Sequence, residues 1–264
     1  MIRWSRLLRA GALAGAAAGS VATATMLLVT EPVIRRALLV EAARDGAAGH
    51  DHSEVLVSRT AQVLVGAATA AVVGVLVGVV FAVVFARARP RLPGGGDHAR
   101  SLALAALGFA TLTLLPAVAV PANPPAVGDP GTVTRRTLLY VLVVLLGLLV
   151  VVVTASLDRW LAARGSAGPV RRSADVLVVV VLVALVLWAL PSTQDRVPAD
   201  VPAELLWDFR VASIAQLGAM WLTLGTVFGL LVRSAGHGAG TVSPAVRSSA
   251  PGVDRLGSGP ASPS

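Results

Sequence analysis

Cysteine and lysine are both absent from this 264-residue chain, and only 14% of its residues are charged. The lack of cysteine excludes disulfide bonds and thiolate metal sites. The lack of lysine excludes a phosphate-binding loop of the Walker type, which requires one. The sequence also has no HExxH motif, no GxSxG motif and no recognisable pairing of a nucleophile with a base. These absences predict that the chain is not an enzyme and that it holds no cofactor.

Apolar residues make up 55% of the chain, with a mean hydropathy of +0.78, whereas soluble domains are typically ~45–50% apolar. They come in long blocks rather than amphipathic stripes, which is typical of membrane spans. Six blocks approach the ~20 residues that cross ~30 Å of hydrocarbon. They cover about 10–30, 61–86, 101–120, 137–156, 175–190 and 211–232. We therefore predict an all-α, polytopic membrane helix bundle of about six transmembrane helices, multi-pass in the cell inner (plasma) membrane.

The first block has a second interpretation, as a signal peptide. Three arginines among the first nine residues would form its basic region, and Ala22-Thr23-Ala24 resembles a cleavage site. The apolar run continues past that point to Val29, which favours a retained helix of full span length. The predicted transmembrane domain is then 1–233. Residues 234–264, rich in Gly, Ser, Pro and Ala, are predicted to be a disordered cytoplasmic tail.

The distribution of arginine predicts the orientation. If both the N- and the C-terminus are cytoplasmic, the inner segments contain 14 of the 22 arginines and four of the 14 acidic residues. The outer segments then contain eight arginines and ten acidic residues. This is the bias that the positive-inside rule describes. It accounts for the net charge of +8 without a nucleic-acid partner, and it leaves an acidic outer face that would concentrate cations.

Small residues recur at every fourth position in three of the predicted helices. They are Gly11, Gly15 and Gly19, then Gly66, Ala70, Gly74 and Gly78, and finally Gly225 and Gly229. This spacing lets helix backbones approach closely in lipid, where no hydrophobic effect drives helices together. We predict that these faces pack against other helices.

The first outer loop carries the side chains best suited to bind a metal ion. His50, His52 and Glu54 alternate along the chain, so they would share one face of an extended segment. Imidazole nitrogen combined with carboxylate oxygen suits divalent cobalt, nickel and zinc. The loop is therefore a candidate site of metal capture. The alternative is a solvated polar loop whose histidines bind nothing.

Three carboxylates lie where predicted spans meet the outer face. Glu31 precedes Pro32, which is expected to end the first helix at a defined point, and Glu204 and Asp208 precede the sixth span. Together they would line a mouth for cations, or else they only mark the ends of apolar segments. No carboxylate or histidine lies at mid-depth of a predicted span, which argues against a proton-coupled pump.

Four stretches in a fixed order carry a family resemblance. They are Glu31-Pro32 with the loop around His50-Asp51-His52, then Arg59-Thr60, then Gly108 to Pro121, and finally Val201 to Gly225. In the order and spacing of these stretches, which extend over nearly all of residues 1–233, the chain resembles the CbtA family of proposed cobalt transporter subunits. The resemblance implies that the transported ion is cobalt or another divalent metal. It also implies a small single-span partner of the CbtB type with a metal-binding tail.

The leading prediction is a membrane subunit of a divalent metal transporter. It would lie in the lipid bilayer, capture metal at the outer His/acidic loop and pass it through the helix bundle. Assembly into a homo-oligomer is left open. One alternative is a membrane scaffold or accessory protein that transports nothing. Another is a permease for a neutral small molecule, which the uncharged interior of the predicted spans would suit.

Overall fold

The computed structural model describes residues 4–48, 58–125, 127–128, 130–190 and 197–237. All regular structure in these residues is helical. Six helices are long and apolar enough to cross a membrane, which confirms the predicted all-α bundle with six spans. The helices are α1 (Trp4–Thr25), α2 (Glu31–Ala48), α3 (Arg59–Ala88), α4 (Asp97–Phe109), α5 (Leu115–Ala119), α6 (Val133–Ala163), α7 (Gly168–Ala189) and α8 (Ala203–His237). A 3-10 turn covers Pro130–Thr132.

Two π-helical turns interrupt the regular helices without breaking the chain direction. One, Met26–Thr30, joins α1 to α2, and the other, Ala110–Leu114, joins α4 to α5. In each case a proline follows two residues after the turn, at Pro32 and Pro116. Proline has no N–H to donate and its ring collides with the carbonyl four residues earlier. The wider π turn leaves room for the proline ring and does not require the missing hydrogen bond, as in other π-bulges.

The expectation that Pro32 ends the first helix is therefore wrong. The Glu31 backbone N–H donates to the Met26 carbonyl, five residues back, and helix α2 begins at once. Pro32 then lies in the first turn of α2, where its missing N–H is not needed. As a result, α1, the π turn and α2 form one continuous helical segment that extends well beyond the predicted span.

Helix α1 packs against α3 and α8, and α4 packs against α8. Their shared core is apolar and includes Ala14 of α1 and Phe85 of α3, both fully buried. Phe228 of α8 contacts the rings of Phe81 and Phe85 edge to face, with centroids 5.2 and 5.1 Å apart. Such edge-to-face pairs add to the packing energy of the buried rings. Four spans thus form one closely packed unit.

The α1–α3 contact is made by the predicted small residues, which confirms that part of the prediction. A Cβ atom added at Gly78 would lie 2.7 Å from the Gly15 Cα atom, and one added at Gly19 would lie 2.7 Å from the Ala70 carbonyl oxygen. Backbone therefore touches backbone along this interface. For Gly66 the prediction is wrong, because a Cβ atom there would meet no atom of the described residues within 4 Å.

Helices α6 and α7 form a more peripheral pair. Helix α7 packs chiefly against α6, and α6 contacts the rest of the bundle mainly through α5 and the second π turn. Many of their aliphatic side chains are exposed, including Val176, Leu177 and Val180 of α7. In a bilayer these faces meet lipid, since apolar side chains there carry no cost.

The close backbone contact generates a matched pair of substitutions. We expect Gly78→Ala to lower the free energy of unfolding by about 1–3 kcal/mol. The new methyl group would collide with backbone atoms of α1, which cannot move aside as a flexible side chain can. Gly66→Ala on the same helix should be neutral or slightly stabilising, because alanine favours helix and the site is open. Unfolding of the detergent-solubilised chain, followed by circular dichroism, measures both. Equal effects of the two variants would contradict the backbone contact.

Candidate functional site

The predicted capture residues His50, His52 and Glu54 lie outside the described residues, so this site stays a prediction. The structure does establish where their loop is anchored. It connects the end of α2 at Ala48 to the start of α3 at Arg59. The other three predicted residues, Glu31, Glu204 and Asp208, all lie in described helices.

Glu31 is the most enclosed of the predicted metal-binding residues. It is the first residue of α2, and only 3% of it is exposed. The Arg35 Nε atom donates to its Oε1 atom at 3.2 Å, yet the Arg35 side chain itself is 72% exposed. The preceding residue, Thr30, is also buried and donates from its hydroxyl to the Gln216 Oε1 atom of α8 at 2.9 Å. A buried carboxylate thus follows directly on a buried threonine, whose hydroxyl is bonded to the partly buried amide oxygen of Gln216.

Asp208 and Glu204 lie near the beginning of α8 and differ in their surroundings. The Asp208 Oδ2 atom accepts a hydrogen bond from the Arg36 Nη2 atom at 2.8 Å, whereas Glu204 is exposed. Consecutive arginines of α2 therefore engage the carboxylates of Glu31 and Asp208. Across the described residues, no three His, Asp or Glu side chains come together as a group that could hold a metal ion.

Helix α2 is held against the start of α8 by an apolar cluster and further charged contacts. Val33 and Ala37 of α2 are buried together with Val127, Val201 and Leu205. Farther along α2, the Arg44 guanidinium donates to the Asp200 Oδ2 atom from Nε at 3.0 Å and from Nη2 at 2.8 Å. These contacts fix α2 as an ordered extension of the bundle at the end where Glu31 lies.

The second π turn is also hydrogen-bonded to its neighbours. Trp221 of α8 donates from its indole N–H to the Thr113 hydroxyl at 3.0 Å, in a fully buried contact. Pro116 cannot donate to the Leu112 carbonyl four residues earlier, and the Tyr140 hydroxyl of α6 donates to that oxygen at 3.3 Å instead. Helix α8 is therefore bonded to both π turns. A pocket of about 90 Å³ beside the second turn is lined by Thr113, Tyr140, Arg210 and Ser213, among others.

A larger cavity of about 840 Å³ lies between α4–α5, α6 and α7. Aliphatic side chains such as Leu114, Val151 and Val183 form most of its wall. The two threonines in it donate to carbonyls of their own helices, Thr111 to Leu107 and Thr154 to Val150, both at 2.8 Å. Their hydroxyls are thus already engaged, so the wall is effectively apolar.

Charged residues collect at one end of this cavity, although no sequence pattern marks them as residues of a site. Asp158 of α6 and Arg171 of α7 form a two-pronged ion pair, with both N–O distances 2.7 Å. Arg91, Arg159 and Asp175 complete the charged lining. Three arginines against two aspartates leave an excess of positive charge, which does not suit a pathway for cations. The signal in the sequence was an aspartate and an arginine flanking the short α6–α7 connection.

The Asp200–Arg44 contact generates a prediction about pH. Hydrogen bonding by Arg44 lowers the pKa of Asp200, against a smaller opposing effect of burial. The pair therefore helps to hold α2 at pH values above the unfolded pKa of about 3.9. Its contribution disappears as the pH falls through the lower folded pKa.

We expect a carboxyl NMR titration of Asp200 in the detergent-solubilised chain to show an inflection below about 3.9. Arg44→Gln should move the inflection up toward the ordinary value. Arg36→Gln is the matched control, because Arg36 engages Asp208 instead, and it should leave Asp200 unchanged. If the Asp200 inflection does not move when Arg44 is replaced, the assigned ion pair is contradicted.

Comparison with known proteins assigns the family. No curated protein and no solved structure matches the chain. A family model described as "Probable cobalt transporter subunit (CbtA)" matches residues 4–233. The matched region begins with α1 and ends within α8, so it includes all six candidate spans. The chain therefore belongs to the CbtA family of probable cobalt transporter subunits.

Proposed function

We propose that this chain is the membrane-embedded subunit through which a divalent metal ion, cobalt above all, crosses the inner membrane. The family description calls its members transporter subunits, which implies an assembly with other chains. A small single-span protein of the CbtB type is the partner we expect. His50, His52 and Glu54 capture the ion on the outer face and raise its local concentration there.

The burial of Glu31 is the observation that carries this proposal. A carboxylate withdrawn from water is costly, and in membrane proteins it commonly marks an ion pathway. Glu31 is 3% exposed and stands at the junction of the first span with α2, next to the Thr30–Gln216 pair. Carboxylate, amide and hydroxyl oxygens are all groups that can coordinate a divalent cation. We assign Glu31 as the carboxylate that receives the ion from the outer loop.

Arg35 acts as the resting counter-charge of Glu31 in this proposal. Its side chain is mostly exposed, so it can leave for water when a metal ion takes its place. Asp208 and Glu204 contribute negative charge near the entrance, with Asp208 balanced by Arg36 in the resting state. An arriving divalent ion thus competes with arginines rather than entering an empty ring of carboxylates.

The driving force is the membrane potential or a partner protein, because the sequence has no phosphate-binding loop of the Walker type. An inward-directed potential supplies ~2.3 kcal/mol per charge per 100 mV, hence about twice that for a divalent ion. A potential of this size can draw the ion inward from an acidic outer face.

Metal uptake by whole cells tests the role of Glu31. Cells without their own cobalt and nickel importers would express the full chain together with its single-span partner. We expect Glu31→Gln to lower the maximal rate of cobalt uptake by about tenfold or more, the size of effect typical for groups that hold a metal in place. Glu41→Gln, an identical change farther along α2, is the control and should keep the normal rate. Equal uptake by the two variants would contradict the assignment of Glu31.

The same assay tests the capture loop separately. We expect His50→Ala combined with His52→Ala to raise the cobalt concentration for half-maximal uptake roughly tenfold, with the maximal rate retained, because capture precedes passage. An unchanged half-maximal concentration would remove the loop from the proposal. If the unmodified chain with its partner moves no cobalt or nickel, the scaffold interpretation takes its place.

A further inference from the structure

We propose that the cavity between α4–α5, α6 and α7 binds an anionic phospholipid, with its phosphate at the charged end and an acyl chain along the aliphatic wall. This site is separate from the proposed metal pathway. It is carried by three features of the cavity: its shape, the sign of its charge, and its level in the bilayer.

The shape of the cavity fits an acyl chain. Its lining on α7 extends from Arg171 to Leu187, about 24 Å along a helix at 1.5 Å per residue. One leaflet of the hydrocarbon core is about 15 Å deep. The cavity, called the slot below, is therefore long enough for an acyl chain that enters from one side. Its volume of about 840 Å³ also lies in the range of roughly 300–1,000 Å³ typical of small-molecule sites. Helix α7 packs chiefly against α6, which leaves the slot beside the lipid-facing edge of the bundle.

The charge at the end of the cavity fits a phosphate. Asp158 is matched by the two hydrogen bonds from Arg171, which removes it as a source of repulsion. Arg91 and Arg159 are exposed, and in the part of the chain that the structure describes neither pairs with a carboxylate. Two guanidinium groups are thus available for phosphate oxygens at this charged end of the cavity, called the rim below. Arginine binds phosphate oxygens well.

The level of this rim agrees with that of lipid headgroups. Trp160 follows Arg159 on α6, is 49% exposed, and lies under the Arg164 guanidinium at 3.6 Å from its ring centroid. Exposed tryptophan is typical of the membrane–water interface. In the predicted orientation the rim faces the cytoplasm, where anionic lipids attract clustered arginines and where basic pockets between helices bind headgroups.

Asp175 distinguishes binding by charge from simple filling of the slot by any lipid. It lines the cavity one helical turn beyond Arg171, and its Oδ1 atom is buried without a hydrogen-bond partner in the described residues. Its carboxylate opposes a bound phosphate. A neutral residue here should therefore strengthen the binding of anionic lipid and leave the binding of neutral lipid unchanged.

Native mass spectrometry of the full chain tests the proposal, with phosphatidylglycerol and phosphatidylcholine of identical acyl chains as probes. We expect one phosphatidylglycerol to be retained at least several-fold more strongly than phosphatidylcholine. Arg91→Gln combined with Arg159→Gln should abolish this preference, and Asp175→Asn should increase it. Arg6→Gln combined with Arg9→Gln removes two exposed arginines of α1 away from the cavity, and should keep the preference.

Two further measurements tie the phosphate site to the slot. Val183→Trp fills the aliphatic wall and leaves the rim intact, so it should weaken retention of phosphatidylglycerol several-fold. Glycerol 3-phosphate, which has no acyl chain, should not displace the lipid. Equal retention of the two lipids by the unmodified chain, a preference that survives loss of both rim arginines, or displacement by glycerol 3-phosphate would overturn the proposal. Melting temperatures of all variants in detergent show that each one is folded.

Discussion

Direct contact between the backbones of α1 and α3 is the constraint on which the rest of the structure depends. In lipid the hydrophobic effect does not bring two apolar helices together. The favourable free energy of their association must therefore come from dispersion forces across a large surface in close contact. Glycine and alanine at every fourth position provide that surface. With α1 fixed on α3, one remaining side of α1 packs against α8, and α8 in turn packs against α4. The buried phenylalanines of α3 and α8 then close the core.

This core also explains where the polar chemistry lies. Two prolines force π turns into otherwise regular helices, and each turn frees side chains or carbonyls that must find partners in a nonpolar medium. Helix α8 supplies Gln216 to Thr30 and Trp221 to Thr113. Glu31 is buried as a consequence of the first turn, because the helix continues through Pro32 instead of releasing the chain into water. The proposed entry point for the ion and the packing of α8 are thus results of the same local geometry.

The peripheral pair α6–α7 is attached to the bundle in a different way. It carries little small-residue patterning and attaches to the core mainly through the second π turn and α5. The space left beside that attachment is the apolar slot with its arginine rim. The bundle therefore has two parts, a closely packed core and a loosely attached pair of helices beside the lipid. The proposed metal pathway lies in the first part and the proposed lipid site beside the second.

The sequence alone determined the membrane class, the number of spans and most of the small-residue faces that pack against other helices, because apolar blocks and small-residue spacing are local patterns read in chain order. The tertiary structure decided which helices these faces join, with α1 against α3. The sequence did not predict that the helix passes through Pro32, because a proline in the first turn of a continuing helix and a proline after the end of a helix give the same local sequence pattern. Contacts with distant segments, such as that of Thr30 with Gln216, distinguish the two cases. The pairing of Glu31 with Arg35 and of Asp208 with Arg36 could not be distinguished from an open ring of carboxylates. The slot and its rim were invisible for the same reason: Arg91, Arg159 and Arg171 belong to separate segments, and only tertiary packing brings them to one end of one cavity.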